Sequence, residues 1–177
     1  MLTHPMTNRF MVTESILGLN LDFFDNIWFI CLQEHEDKYQ FMKGLVSELD
    51  EVGLRAKSNI VLLPEQTDSQ SETVYTFLSG QELEGFVFIK DSDGFYRCDV
   101  EERNQVAYFD LNDMDDINAR TKSYIELDVN NVITNIVEKK VVSSTFSSGG
   151  YGFADAKEFC KTFEKLQDMD GECYISH

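Results

Sequence analysis

Short apolar runs alternate with segments of helical spacing over the first half of this chain. Residues 26–32 and 59–63 are apolar on both faces, as in strands that are covered on both sides. Between them, residues 34–52 place apolar side chains at helical spacing, and Gly53 ends the run. Strands that alternate with helices favour a parallel sheet with crossover helices on its faces. We therefore predict an α/β domain.

Further elements complete this prediction. Three more helices are predicted over residues 7–19, 71–78 and 155–166, with Thr7 and Ser69 as caps of the first two. Four more strands are predicted over residues 85–89, 105–111, 122–129 and 132–139. Asn130 and Asn131 tolerate positive φ and predict a hairpin between the last two strands. No linker or repeat interrupts the chain, so residues 1–177 are expected to form one domain.

Composition limits the function classes. The 32 acidic and 15 basic residues give a formal charge of −17, which argues against a nucleic-acid partner. The four cysteines form no CxxC pair, so the sequence signals neither a zinc site nor a disulfide framework. No signal peptide and no apolar run of membrane-spanning length is evident. These observations predict a globular cytoplasmic protein with reduced thiols and no membrane insertion.

The most informative segment is the apolar strand that ends in Lys90-Asp91-Ser92-Asp93. Ligands of open α/β sheets collect at the carboxyl ends of strands. Carboxylates at such a position can hold Mg²⁺ against the phosphates of a nucleotide. The alternative is that both Asp residues are turn formers, which are common at strand ends.

Four further stretches, together with this strand, resemble the sugar-phosphate nucleotidyltransferases that serve capsule and surface polysaccharide synthesis. The sequence IWFICLQEH resembles the second strand of that family, and LPEQTDSQSETV resembles its T-x-G-Q-A-E-T-V segment. The sequences IVEK and SGGYGF resemble its E-K and G-x-Y-x-F pairing, and GECYISH resembles G-E-x-Y-I-(S/T). The resemblance implies a Rossmann-like, three-layer α/β/α fold of GT-A type with a mostly parallel mixed sheet.

The resemblance also implies roles for single residues. Asp93 takes the place of the metal-binding aspartate and would hold Mg²⁺. Lys139 would meet the sugar phosphate as a positive charge, and these two residues are the implied catalytic pair. The implied substrate contacts are Gln66 and Gln70 to the base, and Glu138, Gly149 and Glu172 to the sugar. The alternatives are solvated surface charges for the ionic residues and a flexible turn for Gly149.

The sequence also departs from the family pattern. The family begins with a strand and a glycine-rich G-x-G-x-R-x loop that holds the triphosphate, and the chain is expected to start after both. His177 stands where many relatives have Asp, so the domain is expected to be incomplete at both ends. Ser69 replaces the glycine against which the base lies. A partner chain could cover an edge left by the missing strand, which leaves a homo-oligomer open.

Three functions follow as hypotheses. The first is nucleotidyl transfer from a nucleoside triphosphate to a sugar 1-phosphate, with Mg²⁺ as cofactor. The second is a non-catalytic module of the same fold that binds a sugar nucleotide or acts in assembly with a protein partner. The third is a glycosyltransferase, for which Asp91-Ser92-Asp93 matches the D-x-D metal motif.

Overall fold

The structure is a computed structural model that describes residues 3–115, 118–166 and 175. The chain divides into two compact units. The first unit contains the residues up to Asp68 and the segment Asp91–Val100, and the second contains Ser69–Lys90 and the residues from Glu101 onward. The first unit is therefore discontinuous in sequence.

A parallel pair of strands forms the centre of the first unit. Strand β1 (Ile27–Leu32) pairs with β2 (Ser58–Leu63) in register from Ile27 with Ser58 to Leu32 with Leu63. Helices α1 (Met11–Ile16), α2 (Gln33–Tyr39) and α3 (Met42–Glu51) belong to the same unit. The buried core combines residues of α1, β1 and α3 with their flanking turns: Ile16, Phe29, Phe41, Leu45, Leu49 and Leu54. Both strands and their parallel pairing confirm the prediction.

Two of the helix predictions for this unit need correction. Helix α1 starts at Met11, so Thr7 does not cap it; residues 4–9 form turns in which Asn8 has a φ of +60°. The long helix predicted over residues 34–52 is two helices, because Gln40 adopts a left-handed φ of +48°. The N–H group of Met42 then donates to the Glu36 carboxylate at 2.9 Å, which satisfies one free donor at the start of α3.

Strands of the second unit form an antiparallel sheet around β7 (Thr145–Phe153). Strand β7 pairs with β3 (Val87–Lys90), β4 (Gln105–Asp110) and β5 (Ser123–Leu127), and β5 pairs in turn with β6 (Ile133–Glu138). The predictions of β3 to β6 are confirmed, and every predicted end lies within two residues of the observed one. Strand β7 was not predicted.

The hairpin of β5 and β6 turns at the predicted position. Asp128 accepts hydrogen bonds from the N–H groups of Asn130 at 2.8 Å and Val132 at 2.9 Å, and Asn131 has a φ of +60°. The register of the two strands shifts between Glu126 and Leu127, just before the turn. The connection is thus a turn closed by a left-handed residue and a bulge, which is a common alternative to the two-residue hairpin.

Two helices pack against each other in the second unit. Helix α4 (Gln70–Gln81) starts at the predicted cap, where Ser69 Oγ accepts from the Glu72 N–H at 3.1 Å. The ring of Tyr75 on α4 stacks on that of Phe163 on α5 (Ala156–Leu166), with ring centroids 4.7 Å apart. The remaining helical elements are single 3₁₀ turns: Leu21–Phe23, Arg55–Lys57, Leu111–Asp113 and Ala119–Thr121.

The α/β class is therefore confirmed, but the expectation of a mostly parallel sheet is wrong for the described strands. Only β1 and β2 pair in parallel there, and every pairing in the second unit is antiparallel. Helical crossovers favour parallel pairing, whereas residues 91–104 between β3 and β4 contain no helix. None of the helices in the described ranges combines the length and apolar character needed to cross a bilayer.

Gly18 provides a test of the first unit. A Cβ atom built at Gly18 would lie 1.8 Å from the carbonyl oxygen of Tyr96, in the segment Asp91–Val100. We expect Gly18→Ala to lower the free energy of unfolding by about 2 kcal/mol or more, because backbone atoms must move apart. Denaturant unfolding measures the change.

The matched control is Gly80→Ala on α4. A Cβ atom there meets no other atom within 4 Å, so the substitution should leave stability unchanged or raise it by about 0.5–1 kcal/mol. Equal stabilities of the two variants would contradict the close approach of Gly18 to Tyr96.

The hairpin turn gives a pH-dependent prediction. Hydrogen bonds from the N–H groups of Val132 and Asn130 hold the pKa of Asp128 below its ordinary value of 3.8. Its stabilising effect is therefore present above the ordinary pKa and lost as the pH falls through the lower folded-state pKa. We expect Asp128→Ala to lower the thermal unfolding midpoint at pH 7 and to have a much smaller effect in strong acid. The control is Asp99→Ala, at an exposed position. A decrease in the midpoint for Asp128→Ala that is the same at pH 7 and in strong acid, or that Asp99→Ala reproduces, would show that Asp128 does not stabilise the turn.

Candidate functional site

The Glu138-Lys139 pair lies at the end of β6. Glu138 is the last residue of the strand, is half-buried, and pairs with Ser123 of β5. Lys139 is exposed and leaves the strand with a left-handed φ of +55°, while its N–H group donates to the Lys122 carbonyl at 2.9 Å. The sheet therefore fixes the backbone of a carboxylate and a cation side by side.

Gly149 lies at an irregularity of β7 in the same sheet. Its φ is +84°, which favours glycine, and its N–H group donates to Ser147 Oγ at 3.1 Å. Ser147 Oγ also bonds to Tyr151 Oη at 2.9 Å, and all three residues are buried. Ser148 Oγ is buried and has no hydrogen-bond partner within the described ranges. The alternative interpretation of Gly149 as a flexible turn is therefore not supported, because the residue lies within β7.

The structure brings the Glu138-Lys139 pair and Gly149 into one sheet. Strand β5 lies between β6 and β7, with Tyr124 opposite Phe146. Because β5 and β7 are antiparallel, the position next to that pair sets Ser123 beside Ser147. Ser123 also pairs with Glu138 on β6, so Glu138 lies two strands away from Ser147. Adjacent strands lie about 4.8 Å apart. The end of β6 and the middle of β7 are therefore about 10 Å apart.

Asp91 and Asp93 follow β3, as predicted, and belong to the first unit. Asp93 is exposed, and Asp91 is half-buried. Nowhere in the described ranges do three or more His, Cys, Asp or Glu side chains gather closely enough to hold a metal ion. Mg²⁺ is usually bound by one or two carboxylates, with water and substrate phosphates as its other ligands. The two aspartates fit that kind of donor set.

The residues predicted to contact the base flank the start of α4. Gln66 is exposed in the loop after β2, and Gln70 is the exposed first residue of α4. Gln66 belongs to the first unit and Gln70 to the second. Glu172 lies outside the described residues. That Asp93 and Lys139 act together as a catalytic pair stays a prediction.

One basic residue beside the predicted pair was missed. Lys122 precedes β5, and its carbonyl accepts the hydrogen bond from Lys139. Counting outward from the Asn130-Asn131 turn sets Lys122 opposite Lys139, so the sequence contained the signal.

Cys31 and Cys160 are interpreted as packing residues and not as nucleophiles. Burial raises the pKa of Cys31 to about 11 and also raises the pKa of Cys160. Both side chains are therefore protonated thiols at neutral pH, which does not favour a nucleophilic role.

Comparison with known proteins identifies the fold. No family model and no curated protein sequence matches the chain. Solved structures do match: a nucleoside-diphosphate-sugar pyrophosphorylase from Vibrio cholerae RC9 aligns with a TM-score of 0.71 and 17% identity, over 99% of this chain and 75% of that protein. An inositol-1-phosphate CTP transferase from T. maritima aligns with a TM-score of 0.64 and 12% identity, over 94% of this chain and 65% of that protein.

A third match is a Bacillus anthracis protein assigned as a glucose-1-phosphate thymidylyltransferase and solved with sucrose. It has a TM-score of 0.64 and 16% identity, over 95% of this chain and 70% of that protein. These likenesses show that the chain has the fold of these transferases and pyrophosphorylases, and that it spans about two thirds to three quarters of their length.

Ser147 allows a test of the ordered strand around Gly149. Ser147→Ala removes the acceptor of the Gly149 N–H group and the partner of the Tyr151 hydroxyl inside the sheet. Leaving buried polar groups unsatisfied costs about 1–3 kcal/mol, so we expect a loss of that size in the free energy of unfolding. Denaturant unfolding measures it, with exposed Ser79→Ala on α4 as the control. A Ser147→Ala variant as stable as the control would show that Ser147 does not order Gly149.

Proposed function

We propose that this chain is a sugar-phosphate nucleotidyltransferase and that its fold forms the catalytic site. The observation that carries the proposal is the Glu138-Lys139 pair, fixed at the end of β6 in the sheet that also contains Gly149. The shared fold supports it, since the matched solved structures include proteins named for pyrophosphorylase and CTP transferase activity. We also propose that the product serves capsule or surface polysaccharide synthesis and that the protein acts in the cytoplasm.

The proposed reaction is a displacement at phosphorus. A phosphate oxygen of the sugar 1-phosphate attacks the α-phosphate of the nucleoside triphosphate, the bond to the β-phosphate breaks, and pyrophosphate leaves. Positioning and charge stabilisation carry most of such catalysis. The protein must therefore hold two polyanions close together, which the overall charge of −17 opposes unless cations gather locally.

Each named residue has one task in this reaction. Lys139 offsets the charge of the sugar phosphate, and Glu138 accepts hydrogen bonds from sugar hydroxyls. Gly149, which has no side chain, lets the sugar approach the backbone of β7.

The remaining residues act on the nucleotide. Gln66 and Gln70 donate to and accept from the base. Asp93 would hold Mg²⁺, with Asp91 beside it, and the bound ion would supply charge neutralisation on the triphosphate.

The experiment is a pyrophosphate-release assay on the full-length protein, with panels of nucleoside triphosphates and sugar 1-phosphates. We expect Asp93→Asn to lower kcat by at least about 100-fold, since metal-assisted charge stabilisation is worth several kcal/mol. Asp99→Asn, an exposed residue of the same segment, is the matched control and should retain activity.

The sugar side of the site has its own variant in the same assay. Lys139→Gln should raise KM for the sugar phosphate about tenfold, because a charge-assisted contact to the phosphate is lost. No turnover by wild-type protein with any substrate pair, or equal activity of Asp93→Asn and Asp99→Asn, would refute nucleotidyl transfer.

A second candidate function is a module of the same fold that binds a sugar nucleotide without turnover. Ser69 favours it: the residue replaces the family's glycine, and its side chain caps α4 through the bond to the Glu72 N–H group. Calorimetry separates the two functions, because such a module binds a sugar nucleotide and releases no pyrophosphate.

A further inference from the structure

Four basic residues lie in the two chain segments at the end of the β5–β6 hairpin that is remote from its turn. Arg120 and Lys122 precede β5, and Lys139 and Lys140 follow Glu138 at the end of β6. Glu138 is the only acidic residue in these two short segments, whereas acidic residues outnumber basic ones 32 to 15 in the whole chain. The local charge is thus opposite in sign to the overall charge.

The register makes Lys122 a direct neighbour of Lys139. Ser123 pairs with Glu138, and in the next position the Lys139 N–H group donates to the Lys122 carbonyl at 2.9 Å. Like charges at directly opposed positions of an antiparallel pair destabilise the sheet. A bound anion that contacts both ammonium groups would turn this repulsion into attraction.

The side chain of Lys122 is already held in place. Its Nζ atom lies 5.9 Å from the ring centroid of Phe146, which is 2% exposed on β7, and the lysine itself is half-buried. The side chain thus extends from β5 toward the strand that contains Gly149. Because the aromatic contact restricts the lysine before any ligand binds, less conformational entropy is lost on binding.

We infer that Lys122 is the second cation of the phosphate site and binds, together with Lys139, the phosphate group of the phosphorylated sugar. The inference deepens the proposed function and rests on it for the sugar part of the ligand. A phosphate monoester carries nearly two negative charges at neutral pH and has three acceptor oxygens. Two ammonium groups match that charge, whereas one leaves it half compensated.

Inorganic phosphate is the probe, because it tests the two lysines without any assumption about the sugar or the nucleotide. Phosphate is titrated into the full-length protein while the backbone amide signals of Lys122 and Lys139 are followed by NMR. We expect saturable shifts in wild-type protein and about tenfold weaker binding by Lys122→Gln. Lys122→Arg should bind within about threefold of wild type, because it keeps the charge.

Two control variants distinguish a specific contact between Lys122 and phosphate from general electrostatic attraction by other positive charges. Lys140→Gln removes a neighbouring exposed charge, and Lys161→Gln removes an exposed charge on α5; each should weaken binding less than about twofold. Unchanged circular dichroism of Lys122→Gln shows that it folds. If that variant is unfolded, Lys122→Met takes its place, because it keeps an unbranched apolar side chain beside the Phe146 ring and removes the charge; it should also bind phosphate about tenfold more weakly than wild type.

The inference is wrong if wild-type protein shows no saturable phosphate shift. It is also wrong if Lys122→Gln binds as wild type does or loses no more than Lys140→Gln. None of these results decides whether the protein catalyses nucleotidyl transfer, which the pyrophosphate-release assay tests separately. Conversely, phosphate binding that depends on Lys122, in a protein that releases no pyrophosphate, supports the two-lysine site and refutes the transfer.

Discussion

The second unit depends on the hydrogen bonding of β7. A strand has two edges, yet β7 pairs with three strands, so its partners must change along its length. Residues 150–152 pair with both β3 and β4, whereas Phe146 pairs with Tyr124 of β5 and Phe109 of β4. Gly149 lies between these regions with a positive φ. The irregularity at Gly149 therefore allows one strand to join β3 and the β5–β6 hairpin in one sheet.

This arrangement explains why the candidate site lies where it does. The hairpin fixes Glu138 and Lys139, and β7, which pairs with β5 of that hairpin, brings Gly149 into the same sheet. The hydroxyl of Ser147 replaces part of the missing strand pairing at the irregularity, since it accepts from the Gly149 N–H group. The backbone arrangement of the candidate site thus depends on strand pairing and on one buried hydroxyl.

Much of the fold could be predicted because most elements have a clear period. Strands β1 and β2 are continuous apolar runs, and α4 begins at a serine cap that the structure retains. Strand β7 was missed because its Ser-Ser-Gly-Gly sequence has low β propensity, and its pairing with three strands decides its conformation instead. The left-handed Gln40 divides α2 from α3 without any glycine or proline to signal it.

The candidate site was predictable only in part. Glu138, Lys139 and Gly149 were recognised by resemblance, and the sheet joins them; periodicity alone would not have selected them. Lys122 was missed because a charged residue before a strand normally indicates a solvated end. Its position opposite Lys139 follows from counting outward from the predicted turn, and the observed register agrees with that count.

The discontinuous first unit has a consequence for synthesis on the ribosome. Gly18 accommodates the carbonyl group of Tyr96, and the segment Asp91–Val100 that contains Tyr96 emerges only after α4 and β3 have been translated. The hydrophobic core of this unit consists of residues between Phe10 and Leu62, so it can form first, and the contact between Gly18 and Tyr96 forms last.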